Sequence, residues 1–250
     1  LPVTRLSPSA RYMPLDAAVT TVPLDALRAF LSKTRVLTDK EMSDSGHLVT
    51  AFNLGPASGG GDEVYVRGLD SKAGSRYEIF RKGDKYVDPD SGDSLGYEAT
   101  YIGDAQVEAW SDPAKLLITR SNQEAIAGDL FVPSNGDVMP LNFFPHHPAK
   151  TIQGQIAAVL GGVAQIGQFY VVLLNRGADQ GVDLGMVLGI YRKGDTVRDK
   201  SAGFFSWSNV TLPTEHTGTL MVFRVFKDSS YALVMEASHE IHVKDIVGNP

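Results

Sequence analysis

The chain repeats itself, and the repeat constrains its fold more than any other feature. Ile79-Phe80-Arg81-Lys82-Gly83-Asp84 returns as Ile190-Tyr191-Arg192-Lys193-Gly194-Asp195. Upstream, Val64-Tyr65-Val66-Arg67-Gly68 corresponds to Leu173-Leu174-Asn175-Arg176-Gly177. Downstream, Leu95-Gly96-Tyr97-Glu98-Ala99 corresponds to Thr217-Gly218-Thr219-Leu220-Met221. Farther on, Glu124 and Asp129 have the same spacing as Glu240 and Asp245. One copy spans roughly seventy to ninety residues, the size of a small folding module. A tandem of like modules usually builds a scaffold or binding surface, with any chemistry confined to departures between the copies.

Composition sets outer limits. The 250 residues suffice for one large or two modest cores. Hydrophobic residues make up 43%, and no run approaches the ~18 apolar residues of a membrane-spanning helix, so a soluble chain is expected. A net charge of -6 disfavours binding nucleic acid through a basic face. With 0 cysteines there is no disulfide, thiolate catalysis or cysteine-ligated zinc, which fits a reducing cytosol or a periplasm equally.

Along the chain, residues 1–50 read as an extended, proline-punctuated lead-in followed by a helix. Leu24, Leu27, Phe30 and Leu31 fall at helical spacing behind Pro23, which predicts a helix over 23–35. The Gly-rich stretch 55–61 is a loop near the start of a first β module, 51–133. A Pro-rich connector, 134–150, then leads to a second β module, 151–250. Inside the modules, short runs rich in β-branched and aromatic residues predict strands at 64–66, 77–80, 99–102, 171–174, 187–191, 220–226 and 231–235. Residues 152–159 read as a strand too, bracketed by Gly154 and Gly161-Gly162. Short strands between Gly and Asp turns favour small barrels or sandwiches over parallel α/β units. The expected fold class is mainly β: two related small barrel-like modules in tandem with a short N-terminal helix.

The chemically suggestive patterns have plainer readings. Asn175 to Gly185 carries Gly177, Gly181 and Gly185, but it runs into a strand and carries Asp179 and Asp183, which would repel phosphate. It reads as turn architecture, with Val182 and Leu184 tucked into the barrel end. Asp88-Pro89-Asp90-Ser91-Gly92-Asp93 fails as a calcium loop because Asp93 and Ala99 stand where glycine and glutamate belong, so it reads as a hairpin tip. His239 and His242 lack zincin spacing, and His146 and His147 have no acidic third ligand near them in sequence. No nucleophile elbow or helix-borne acid pair appears. The expectation is no catalytic residue, cofactor or metal, and no enzyme. Partner-binding candidates are Phe204, Phe205 and Trp207, in an insertion (201–208) unique to the second copy, and Phe143 and Phe144 of the connector. Packing of the inserted aromatics as a satellite core is the alternative.

Ile166-Gly167-Gln168-Phe169-Tyr170-Val171-Val172-Leu173-Leu174-Asn175-Arg176-Gly177, with Gly181-Val182 and Gly185 behind it, resembles the C-terminal region of LysM-containing, type IV pilus secretin-associated envelope proteins. So do Met221 to Phe226, Tyr231 to Met235, Ile241 to Asp245, Val64 to Leu69 and Leu95 to Ala99. The resemblance extends over nearly the whole chain from about Leu6. It implies a periplasmic scaffold at the boundary of outer membrane and cell wall, with a FlgT-like C-terminal region. The implied partner is the outer-membrane secretin (PilQ-type), on which a ring or oligomer of the protein is implied as well, while a LysM domain holds peptidoglycan. That domain is expected to be absent here: Lys193-Gly194-Asp195-Thr196-Val197 only echoes its opening and lies inside the second repeat. Alternatives are a cell-wall hydrolase regulator and a flagellar-type ring component.

Overall fold

The runs of β-branched and aromatic residues become strands, and the strands close into two barrels. A computed structural model describes residues 35–134, 144–160, 166–194, 196–198 and 209–250. The first barrel and its additions comprise β1 (Arg35–Leu37), α1 (Asp39–Asp44), β2 (Gly46–Ala51), β3 (Ala57–Ser58), β4 (Glu63–Arg67), β5 (Arg76–Val87), β6 (Ser94–Ala109), β7 (Ala114–Ser121), β8 (Ala125–Ile126) and β9 (Leu130–Pro133). The second comprises β10 (Gln153–Val159), β11 (Val171–Leu174), β12 (Val187–Arg192), β13 (Thr196–Arg198), β14 (Asn209–Thr211), β15 (Glu215–Val225), β16 (Ser230–Ala237) and β17 (Ile246–Gly248).

Hydrogen bonding runs β2–β4–β7–β6–β5–β9 and back to β2 in the first barrel, with β1 added along the first half of β6. In the second it runs β10–β11–β16–β15–β12–β17 and back to β10. Taken in chain order the two circuits are the same, and every pair is antiparallel. Each barrel fills with its own inward side chains. Val64, Val66, Ile79, Ile102, Leu116 and Phe131 centre one core; Val172, Leu174, Leu188, Ile190, Leu220 and Val234 centre the other.

The duplication reaches fine detail. Each barrel has a β-bulge after its isoleucine, Ile79 or Ile190. The next aromatic then meets a cross-strand ring edge-on, Phe80 with Tyr101 at 5.9 Å and Tyr191 with His216 at 5.4 Å. Gly128 (φ 91) and Lys244 (φ 77) occupy matching left-handed positions, their N–H groups donating to the Leu48 and Ile156 carbonyls. The following Asp129 and Asp245 accept from the backbone N–H three residues earlier, that of Ile126 or His242. Arg81 and Arg192 donate to the carbonyl oxygens of Glu124 and Glu240.

The ladders also correct the repeat as read from sequence. Ile79 pairs with Gly103 and Ile190 with Gly218, so Gly103, not Gly96, is the counterpart of Gly218. Leu95 to Ala99 instead lie in the half of β6 that runs beyond the barrel. Val64, which points inward opposite Leu116, matches Val172 opposite Ala232, so the earlier match is displaced by one residue. A one-residue slip exchanges the two faces of a strand. The first module also begins upstream of residue 51, because β1 and β2 belong to its sheet and the Gly-rich stretch is a connection within it. The expected helix over 23–35 lies outside the described residues except Arg35, which opens β1. The helix that is described, α1, has a capping box: the Thr38 side chain accepts from the Glu41 N–H while Glu41 accepts from Thr38. Val182 is buried in the barrel end as expected, but Leu184 is exposed.

Candidate functional site

The two barrels meet in a seam, and the strands that carry the sequence resemblance build one side of it. All four residues of β11 are buried. Val172 and Leu174 point into the barrel, while Val171 and Leu173 point outward. In β16, Ala232 and Val234 face in and Tyr231 and Leu233 face out; Phe223 of β15 joins the outer set. A strand buried on both faces reads as an unbroken apolar run, which is how these segments read in the sequence.

The other side of the seam comes from the first barrel. Beyond the ring, β5 and β6 continue as a two-stranded arm braced by β1. Val36, Tyr86 and Leu95 of this arm pack on the Val171, Leu173, Tyr231, Leu233 and Phe223 face. At the arm's tip, the Asn175 side-chain amide donates to Asp88 Oδ1 at 2.7 Å and to Asp90 Oδ2 at 3.0 Å, while its oxygen accepts from the Gln155 N–H at 2.7 Å. Arg176 adds an ion pair to Asp90 at 3.3 Å. Burial works against ionised Asp88, but bonds from Asn175 and the Asp90 backbone, with the nearby Arg176, hold its carboxyl below the ordinary range. The Asp-rich hairpin tip is thus the polar anchor of the seam.

At the seam's centre the phenol oxygens of Tyr86 and Tyr231 are buried, and neither has a hydrogen-bond partner of normal geometry. Burial pushes both phenols far above their usual range, and each feels the Glu98 carboxyl beside them. Burial pushes Glu98 itself up, against the Tyr86 phenol, which favours the ionised carboxyl, and the like charge of Asp84 adds to the rise.

The corresponding face of the first barrel is built differently. Where the second barrel presents Val171, Leu173, Tyr231, Leu233 and Phe223, the ladders place Glu63, Tyr65, Lys115, Leu117 and Glu108. Lys115 Nζ lies 2.7 Å from Glu63 and 3.5 Å from Glu108, and 5.2 Å from the centre of the Phe52 ring. One face is apolar and covered; its counterpart is ion-paired and open.

Of the expected partner-binding residues, Phe143, Phe204, Phe205 and Trp207 lie outside the described residues. Phe144 is 80% exposed. Its carbonyl oxygen bonds His146 Nδ1 at 3.0 Å, while His146 Nε2 meets Asp183 at 2.9 Å. The His146 backbone bonds Gly185 and Val187, which fastens the connector to the start of β12. Gly185 (φ 88) leaves no room for a side chain there, since an added Cβ would lie 2.5 Å from the Phe144 carbonyl oxygen. Phe204 to Trp207 belong to the stretch joining β13 to β14, a ribbon placed on the second barrel as the arm is on the first, with Val197 paired with an exposed Val210. His242 Nδ1 takes a bond from Arg192 at 2.6 Å. Among the described residues, no group of three or more His, Asp or Glu side chains is placed to hold a metal ion.

The sequence placed Leu95, Glu98 and Asn175 in the repeat and the resemblance, but pointed to neither them nor Tyr86 as binding residues. The available signal was the apolar character of Val171, Leu173, Tyr231 and Leu233 at positions where a one-sided barrel strand would be polar. No protein-family model matches the chain, and no curated protein matches it.

Proposed function

We propose that this chain is a non-enzymatic periplasmic scaffold that associates with an outer-membrane secretin of the type IV pilus, a LysM domain elsewhere in the protein linking the assembly to peptidoglycan. The observation that carries the reading is the seam. The segments resembling the secretin-associated family, Val171 to Leu174, Met221 to Phe226 and Tyr231 to Met235, bury one face inside a barrel and the other against a second barrel. Such a seam holds two similar but non-identical surfaces at a fixed spacing, and binding by fixed surfaces loses little conformational freedom on association. Phe144 and the valines of the β13–β14 ribbon, Val197 and Val210, are exposed and are not among the apolar residues buried in the seam, so a partner reaches them without parting the barrels.

The test is copurification with a PilQ-type secretin from envelope extracts. The secretin is expected to come down with the full protein and to be lost when both barrels are deleted. A secretin complex that survives that deletion contradicts the reading.

A further inference from the structure

A seam needed only for packing has no use for an ionisable carboxyl on the strand face that lines it. Glu98 is there nonetheless, on β6 opposite Val36 of β1, half-buried, beside two phenols that lack normal hydrogen bonds. The neighbours that bear on it are identifiable. From β5 come the Tyr86 phenol, which favours the ionised carboxyl, and the like-charged Asp84, which disfavours it, and the Glu98 Cβ lies 3.0 Å from where a Cβ on Gly83 would sit. Lys82 and Lys85 of the same strand lie over the Tyr97 ring, at 4.2 and 5.8 Å from its centre. Arg35 of β1 is engaged by Glu41. From the second barrel come Tyr231 of β16 and Arg224 of β15, the latter acting on Tyr231.

We propose that the seam is a pH-set joint, closed most tightly when the Glu98 carboxyl is neutral and loosened as that carboxyl ionises. An ionised carboxylate beside Tyr231 and the apolar face of the second barrel has to be hydrated, and hydrating it draws water between the barrels. The sign follows from linkage. The Glu98 carboxyl holds its proton to higher pH in the closed seam than in water, so the closed state binds more protons than the open one, and its stability falls as pH rises. Asp88 at the rim has the opposite sign, because its depressed carboxyl stabilises the anchor only while ionised. The closed joint is therefore most stable in acid, above the range where Asp88 takes up a proton and below the ordinary glutamate range, and it weakens as pH rises from there through the raised range of Glu98. This inference does not depend on the secretin reading.

The test is amide hydrogen exchange of the arm, residues 82–87 and 94–99, corrected for intrinsic rates, as pH is raised from about 5 to about 8. Protection of the arm is expected to fall with pH, by at most roughly tenfold per unit. In Glu98→Gln it is expected to stay high and flat, with protection at Leu116 and Ile118 of the first barrel unchanged as a control for folding. A flat profile in the unaltered protein overturns the proposal, and so does a slope that survives in Glu98→Gln. Carbon-13 NMR of the Glu98 side-chain carboxyl in the unaltered protein decides independently of any variant: a midpoint above those of the other glutamates supports the joint, and an ordinary midpoint overturns it.

Discussion

Arg81 grips Asp129 with both arms of its guanidinium, Nε to Oδ1 at 2.9 Å and Nη2 to Oδ2 at 2.8 Å. The carboxylate is almost wholly buried and also accepts from the Ile126 N–H. The second barrel keeps the arginine, as Arg192, and the buried aspartate, as Asp245. There the arginine bonds the Glu240 carbonyl and His242. Removing Arg81 would leave a buried carboxylate without its cation. Arg81→Ala is expected to cost the first barrel about 3 kcal/mol, and Arg81→Lys less but not nothing, because a lysine cannot match both oxygens. Urea unfolding of each variant measures this.

Gly103 and Gly218 are equivalent, and each lies against a carbonyl oxygen of the neighbouring strand. An added Cβ would sit 2.3 Å from that of Arg120 or of Glu236. Neither backbone oxygen can move without breaking its ladder. Gly103→Ala and Gly218→Ala are each expected to destabilise by about 2 kcal/mol or more. Parallel losses of melting temperature would show that the two barrels share this constraint.

Leu173 is fully buried in the seam and contributes nothing to the interior of its own barrel. Leu173→Ala is expected to cost about 3 kcal/mol in coupling of the barrels, while each barrel's own core is left intact. Calorimetry should then show two unfolding transitions in place of one.

The ion-paired face of the first barrel occupies the positions that form the docking face of the second. Glu63→Val, Glu108→Phe and Lys115→Tyr together restore the side chains that the second barrel carries at those positions. The triple variant is expected to self-associate, since it exposes an apolar sheet face that the arm of another copy fits. Sedimentation velocity across a concentration series reads this; a sedimentation coefficient independent of concentration would count against it.

His146 is pushed above the usual imidazole range, first by its bond to the Phe144 carbonyl and then by Asp183. A raised value means that protonation favours the fastened connector: the contribution is complete below the ordinary histidine range and fades as pH rises through the raised one. Protection of the Val187 amide, which donates to the His146 carbonyl, corrected for intrinsic rates, is expected to fall on going from pH about 6 to about 8, and His146→Gln should remove that fall.

The strands were legible because β-branched and aromatic runs between Gly and Asp turns carry their own signal, and β4, β5, β11, β12, β15 and β16 fall where those runs lie. The duplication was legible at the segments from Ile79 and Ile190 into Arg-Lys-Gly-Asp, where both copies pass the same bulge. It failed at β6 and β15 because the hairpins differ in length: β5 runs unbroken to Val87, whereas β12 stops at Arg192 and hands over to the β13–β14 ribbon. In sequence alone Gly218 aligns with Gly96, which absorbs that difference. The seam was not legible, because docking depends on which face of a strand is covered, and Tyr86, Leu95 and Glu98 look ordinary until β6 is seen to leave the barrel. The strands β1, β2, β7, β9 and β17 were not expected from the sequence; of these, β2 has the alternation His47-Leu48-Val49 with Leu48 alone buried.

That the two barrels form one fixed unit is the claim on which the scaffold reading and the pH-set joint both rest. The chain has 0 cysteines, so a spin-label pair can be introduced cleanly at two exposed sites, Lys72→Cys on the first barrel and Glu236→Cys on the second. Double electron–electron resonance in mildly acidic buffer is expected to show one narrow distance distribution. A broad or multimodal distribution would mean that the barrels move independently and would contradict the account.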